Sequence, residues 1–439
     1  SIRQQLPSLT GGAWGWVFFS IVLLSCSPKT DDVFDASPAQ RQQKAIDDYT
    51  ALLTSQEYGW AMDFYPSDMA LGGIAYTTRF TPDGVVEVAC EMLIDNARGD
   101  KVKSPAAKVV KSEYRIIPSL GVMLTFDTYN PLIHYWPQPS GTQSEGLATD
   151  YEFTFVSATA DEIVLRGRKY GHLMRLYPLR EEATSYLNKV IQMRAQLSEI
   201  PRKRAVVDGQ SVPVTVMSSH FLYDEADGTL KDTPYTYTAA GIRFYEPVVL
   251  AGVGAPELYF NTTSHDLLSP DSRMLLPLPT PLEQFCGTVK QWHFIYGATP
   301  ADYDMCDELR DIMKTFISRT QKENTENVDD IYIGMNKQSV EEDMQRMVFG
   351  WSTSTSMVGV WYELRYALDM SVVDEPNLVI NIKILDGGIY TGNYPQVVPV
   401  LDFIRNNNPY QLQFDDIQNP HYVRVVSQKD SSKWFALKL

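Results

Sequence analysis

The stretch YEFTFVSATADEIVLRGRKYGHLMRLYPL, residues 151–179, reads as three short strands in succession. Tyr151, Phe153 and Phe155 alternate with polar neighbours, the period-two signature of a strand with one buried face. A polar turn follows, then two more short strand patterns, Glu162 to Arg168 and Leu173 to Tyr177. Working back towards Gly59, the same pattern recurs at Trp60 to Tyr65, Ile74 to Phe80, Val85 to Glu91, Glu113 to Ile117 and Val122 to Asp127. Thr81-Pro82-Asp83-Gly84 joins two of these as a hairpin turn, because proline presets φ and glycine accepts a positive one. Eight short strands at this spacing predict a small antiparallel barrel.

The predicted barrel resembles a lipocalin in layout. Helices flank it. Ser37 as N-cap, Pro38 at the first helical position and Gln40 completing a capping box start one, and Tyr186, Val190, Met193 and Leu197 carry another up to Pro201. A second β-rich stretch begins beyond Ile200 to Lys203, with strands expected at Val214 to Tyr223, Tyr235 to Thr238, Gly241 to Leu250 and Glu257 to Asn261. Two helices are then expected, one opened by Thr299-Pro300 with Met305, Leu309, Ile312 and Phe316, the other by Ser339 to Glu342 with Met344 and Met347. Strands resume at Gly359 to Leu368, Leu378 to Leu385, Tyr422 to Ser427 and Trp434 to Leu439, interrupted by a helix with Val398, Leu401 and Ile404. Residues 410–439 (YQLQFDDIQNPHYVRVVSQKDSSKWFALKL) repeat the strand, turn and hairpin order of 151–179. The expected fold is therefore mainly β with α, an α+β chain of two lipocalin-like antiparallel units with flanking helices. Its expected parts are 1–25, 26–36, 37–200 and 201–439.

The first two parts are read from WGWVFFSIVLL, residues 14–24, an apolar run preceded by the single charge of Arg3. A membrane span needs about 20 apolar residues, so this run reads as a signal-peptide core. Leu23-Leu24-Ser25-Cys26 closes it and resembles the lipobox of bacterial lipoproteins. Cleavage before Cys26 would leave lipid on that thiol, and two acyl chains suffice for stable anchoring at about 0.8 kcal/mol per buried methylene. Residues 26–36 form the tether, and Asp31 and Asp32 in it resemble the acidic signal that sends Bacteroidota lipoproteins to the cell surface.

A net charge of −16 sets the chain against nucleic-acid phosphates and anionic headgroups, so no nucleic-acid partner is expected. At 44% hydrophobic and 21% charged residues it has ample material for a core. Once Cys26 carries lipid three cysteines remain, too odd a number for a full disulfide framework. Cys286 and Cys306 are near enough in sequence to pair, and Cys90 lies in an apolar strand.

Catalytic patterns are missing. There is no HExxH, GxSxG, Walker or dinucleotide glycine pattern, and Asp224 to Gly228 falls short of the alternating ligands of a calcium loop. The six histidines, 134, 172, 220, 265, 293 and 421, are scattered and read as side chains with local partners. No cofactor, metal or catalytic residue is assigned. A glycosidase carboxylate pair is a matter of distance in space, which sequence does not supply.

The feature that points to a ligand is aromatic. Tyr129, Tyr135 and Trp136 stand in a proline-bounded segment, residues 129–137, and such rings offer flat apolar area with a polar handle to sugars or peptide side chains. The same rings also suit a cap on the barrel core, and both readings stand at this point.

Asp31-Asp32-Val33-Phe34-Asp35 with Ser37 and Arg41, Gly59-Trp60, Phe126 to Asn130 and Gly241-Ile242-Arg243-Phe244-Tyr245-Glu246-Pro247 resemble lipoproteins of the Bacteroidota that carry a domain of unknown function. The resemblance runs over most of the chain beyond Cys26. Its members are often encoded beside outer-membrane import pairs of the SusC and SusD type, which implies an accessory role in capture or uptake and an outer-membrane transport complex as partner. The expected protein is thus a noncatalytic, lipid-anchored outer-membrane surface protein taking a small molecule, glycan or peptide. An extracytoplasmic hydrolase without a recognisable motif and a structural or adhesive surface protein are the alternatives.

Overall fold

The computed structural model describes residues 37–439 except 67–68, 93–105, 120, 140–145, 199, 218, 288–289, 325, 335–344, 354–360, 388–391 and 393. The signal segment, Cys26 and the tether therefore lie outside the described residues.

Among the described residues, twenty-four strands close into three antiparallel barrels of eight, each an up-and-down meander whose last strand returns to its first. The first holds β1 (Trp60–Phe64), β2 (Ile74–Phe80), β3 (Val85–Cys90), β4 (Val110–Ser119), β5 (Gly121–Phe126), β6 (Glu152–Ala158), β7 (Ile163–Gly167) and β8 (Leu173–Pro178). It closes through β1 and β8, with Ala61 opposite Tyr177. The inward side chains are large: Trp60, Phe64, Tyr76, Phe126 and Phe153 are all buried. Eight strands give a bore just wide enough for such side chains to fill, so this barrel has a solid core.

Two helices brace it. Helix α1 (Pro38–Leu53) starts at the expected Ser37–Gln40 capping box and lays Tyr49 flat on Phe155, ring centroids 3.9 Å apart. Trp60, straight after Gly59, donates its indole N–H to the Leu53 carbonyl at 2.9 Å, pinning the end of α1 to β1. Helix α2 (Ala183–Ser198) leaves the barrel and buries Leu187, Val190 and Met193 against the next one.

The segment 201–439 was expected to form one unit. It closes twice. The second barrel runs from β9 (Arg202–Val207) to β16 (Met274–Leu276) and includes β12 (Leu230–Thr238) and β13 (Gly241–Leu250). Its closing strands are only two and three residues long, too short for an alternation to show. The third barrel comprises β17 (Gln291–Phe294), β18 (Glu326–Gly334), β19 (Arg346–Thr353), β20 (Trp361–Asp374), β21 (Val379–Gly387), β22 (Tyr410–Phe414), β23 (Tyr422–Ser427) and β24 (Trp434–Lys438). Met347, expected in a helix, is buried in β19 opposite Ile333, while residues 339–344 of that expected helix lie outside the described residues. Met305 bridges to Phe435 rather than opening a helix, and α4 (Asp307–Asn324) begins two residues later. The helix expected around Val398 is present as α5 (Val398–Asn406). The two similar stretches, 151–179 and 410–439, each supply the last three strands of their barrel.

Barrels one and two are welded by backbone approach and buried charge. The Gly73 N–H donates to the Tyr235 carbonyl at 3.0 Å, and a β-carbon on Gly73 would fall 1.8 Å from the Thr236 hydroxyl, so only glycine lets the barrels meet there. Asp63 on β1 receives Arg243 of β13 at 3.2 Å, and the guanidinium lies 3.7 Å from the ring centroid of Tyr177. Burial pushes the Asp63 carboxyl above its ordinary range even against this partner. Arg194 of α2 grips buried Glu91 at 2.6 and 2.7 Å and stacks on Tyr237. The hydroxyl of Tyr245, two residues beyond Arg243, accepts the Leu173 N–H at 3.0 Å, and its carbonyl accepts an N–H of Arg175 at 2.9 Å.

Candidate functional site

Between β5 and β6 the chain crosses one end of the first barrel. Asn130 is fully buried and organises the crossing: its Oδ1 accepts the Leu132 N–H at 2.9 Å, its Nδ2 donates to the Ser112 hydroxyl at 3.0 Å, and its backbone N–H donates to His134 Nδ1 at 3.0 Å. This turn drives Leu132, Ile133 and Trp136 inward, where all three are buried in the core. Tyr76, inside the barrel, donates its hydroxyl to the Leu132 carbonyl at 2.9 Å and accepts the Trp136 indole N–H at 2.8 Å. Trp136 is thus part of a plug. Tyr135 packs edge-on against it, centroids 4.9 Å apart.

The residues that turn outward make a different surface. Tyr129 is 52% exposed, Tyr151 is 40% exposed, and half-buried His134 stands between them. The His134 ring is 5.6 Å from Tyr129 and 4.9 Å from Tyr151, with interplanar angles of 35° and 37°. Three flat rings therefore form a stepped row on the plugged end. Burial holds His134 below its ordinary pKa, consistent with a neutral ring that accepts the Asn130 N–H.

Tyr151 also borders a groove of about 470 Å³ lined by Pro137, Asp150, Glu152, Arg168, Lys169 and Tyr170 among others. Asp150 fixes its floor by accepting the Lys169 N–H at 2.7 Å and the Tyr170 N–H at 3.0 Å, one on each oxygen. A β-carbon on Gly167 would stand 2.1 Å from that carboxylate, so glycine is required where β7 ends. Across the groove, Arg168 donates to Glu152 at 3.0 Å, and the Lys169 ammonium sits 4.8 Å from the Tyr170 ring centroid. Thr149 contributes a buried hydroxyl without a hydrogen-bond partner among the described residues.

Of the three residues singled out in the sequence, Tyr129 lies in the exposed row, Tyr135 is half-buried and Trp136 is buried beneath it. Sequence reasoning missed His134, Tyr151 and the Asp150 groove. The alternation puts Tyr151 on the inward face of a strand, but β6 begins at Glu152; the Tyr151 carbonyl still accepts the Phe126 N–H at 3.1 Å, while the residue is 40% exposed. The available signal was the pairing of Asp-Tyr-Glu, residues 150–152, with Arg-Lys-Tyr, residues 168–170, at facing ends of adjacent predicted strands.

A second concave feature, about 300 Å³, lies between barrels two and three beside α3 (Pro281–Gly287). Its walls include Pro201, Pro277, Pro279, Leu282, Cys286 and Val372. Charge at its rim is balanced, with Arg204 3.4 Å from Glu283. Cys286 and Cys306 are free thiols rather than a disulfide, and burial pushes Cys286 up to about 12, leaving a protonated, weakly nucleophilic group.

Among the described residues, no group of His, Cys, Asp or Glu side chains is placed to hold a metal ion, and no helix is long and apolar enough to cross a membrane. His220 and His293 pair with Asp232 and Asp330, each at 2.7 Å. No curated protein matches the chain, and no solved structure does. Residues 30–262, which take in the first barrel and the second as far as its sixth strand, match the domain of unknown function DUF4302; this is more than half of the chain, which belongs to that family.

Proposed function

We propose that this protein is a noncatalytic binding protein, lipid-anchored through Cys26 at the outer-membrane surface, that presents the Tyr129–His134–Tyr151 row to a glycan or peptide for an outer-membrane import complex. The observation that carries the binding role is the exposure of two tyrosine rings directly above a fully packed plug. A barrel needs Leu132, Ile133 and Trp136 to seal its end, and it does not need Tyr129 and Tyr151 outside them. Rings held on a rigid support lose little entropy on contact with a ligand, which favours binding.

The carboxylates support a binding role over hydrolysis. A glycosidase acid must be held protonated opposite a second carboxylate. In the groove, both oxygens of Asp150 are taken up by backbone N–H bonds from Lys169 and Tyr170, and Glu152 is paired with Arg168, so neither stands as a free acid opposite a second carboxylate.

The test is copurification of the tagged protein from native membranes, with mass spectrometry of the N-terminal peptide. Diacylglycerol on Cys26 and a stoichiometric outer-membrane transporter in the eluate are expected. Recovery of an unlipidated protein from the soluble fraction, or of lipidated protein without any partner, would overturn the anchoring or the import role respectively.

A further inference from the structure

We infer that the ligand of the aromatic row is a neutral carbohydrate, with sugar faces laid on the exposed rings of Tyr129 and Tyr151, which His134 props apart, and hydroxyls turned into the groove of Asp150, Glu152, Arg168 and Tyr170. The inference rests on the binding role proposed above and names the ligand class.

The arrangement asks for a molecule with two kinds of surface at close quarters. Tyr129 and Tyr151, stacked on either side of His134 at 5.6 and 4.9 Å, offer two apolar steps, and the groove beside Tyr151 is lined mostly by polar and charged side chains. A sugar has an apolar C–H face and an edge of hydroxyls. Peptide recognition uses side-chain pockets or an open sheet edge for backbone pairing, whereas here the row sits on a plug and the barrel is closed.

Charge selects within that class. Asp150 and Glu152 face Arg168 and Lys169, so the groove is balanced, and an ionic ligand would have to break the 3.0 Å pair between Arg168 and Glu152. A chain carrying −16 also repels anionic glycans. Paired carboxylate and guanidinium groups keep spare lone pairs and N–H donors at fixed angles, well suited to hydroxyls that both donate and accept. At about 470 Å³ the groove falls within the range of ligand sites, roughly 300–1,000 Å³.

The experiment is isothermal titration of the full chain with three sets of probes: neutral oligosaccharides (maltoheptaose, cellohexaose, xylohexaose and mannohexaose), anionic glycans (sialyllactose and heparin hexasaccharide) and casein peptides. Each is repeated on Tyr129→Ala, Tyr151→Ala and Arg168→Gln, with thermal melting as the folding control. Binding of a neutral oligosaccharide is expected, weakened by at least about tenfold in Tyr151→Ala with an unchanged melting temperature. Peptide or anionic binding that depends on the tyrosines, without neutral-glycan binding, would overturn the carbohydrate assignment and leave the binding role standing. Glycan binding unaffected by all three substitutions would overturn the site. Absence of binding to every probe would overturn the assignment and count against the binding role as well.

Discussion

At the level of single residues, the contrast between Trp136 and its neighbours carries the functional reading. Trp136 is 4% exposed and hydrogen-bonded to Tyr76, so its work is structural. Trp136→Ala should cost about 3–5 kcal/mol in urea unfolding, as large-to-small core changes do, while Tyr129→Ala should leave stability within about 0.5 kcal/mol. Equal effects of the two substitutions would reject the separation of plug from row. His134 gives a pH dependence with a definite sign. Its folded pKa is depressed by burial, so the unfolded state takes up the proton first as pH falls. Its contribution is fully present above the unfolded value of about 6.5 and is lost as pH falls through the lower folded value. Stability of the wild type minus that of His134→Gln, followed by urea titration between pH 8 and 5, should therefore decline on acidification. A flat difference would show that the Asn130–His134 turn does not depend on a neutral ring.

Between elements, the strongest joint is that of the first two barrels. Removing Arg243 leaves Asp63 buried without its partner. Arg243→Leu should destabilise by about 3–5 kcal/mol, and the double variant Asp63→Leu with Arg243→Leu should recover much of that loss. Denaturant melts of the two variants measure this, and an equal loss in both would show that the pair is not the source of the cost. The same joint explains why certain motifs were visible in the sequence before their purpose was. Gly59-Trp60 fixes α1 to β1, Phe126 to Asn130 turns the chain across the barrel end, and Gly241 to Pro247 carries Arg243 and Tyr245 into the weld. They are architectural motifs. The first barrel was legible strand by strand because its strands are five to ten residues long with clear turns. The third barrel was hidden because β17 has four residues, β18 and β19 carry few polar alternations, and methionines near residue 347 imitate a helical stripe. The groove was hidden for another reason: the β6–β7 pairing is what brings Glu152 against Arg168 and Asp150 against the Lys169 and Tyr170 N–H groups.

In the whole molecule, each of the three barrels packs buried apolar side chains into a core of its own among the described residues, which directs binding to a rim or a junction. Among the described residues the concave places include the groove beside the aromatic row, the cleft between barrels two and three, and a hollow of about 410 Å³ on the third barrel beside Asp369, Asn381, Lys383 and Arg405. The ligand is expected in the first of these. Hydrogen–deuterium exchange over the full chain, with and without the saturating oligosaccharide found by titration, distinguishes them in one measurement. Slowed exchange confined to residues 128–137 and 149–170 is the predicted result. Slowed exchange around 201–204 and 279–287, with the aromatic row unchanged, would contradict it.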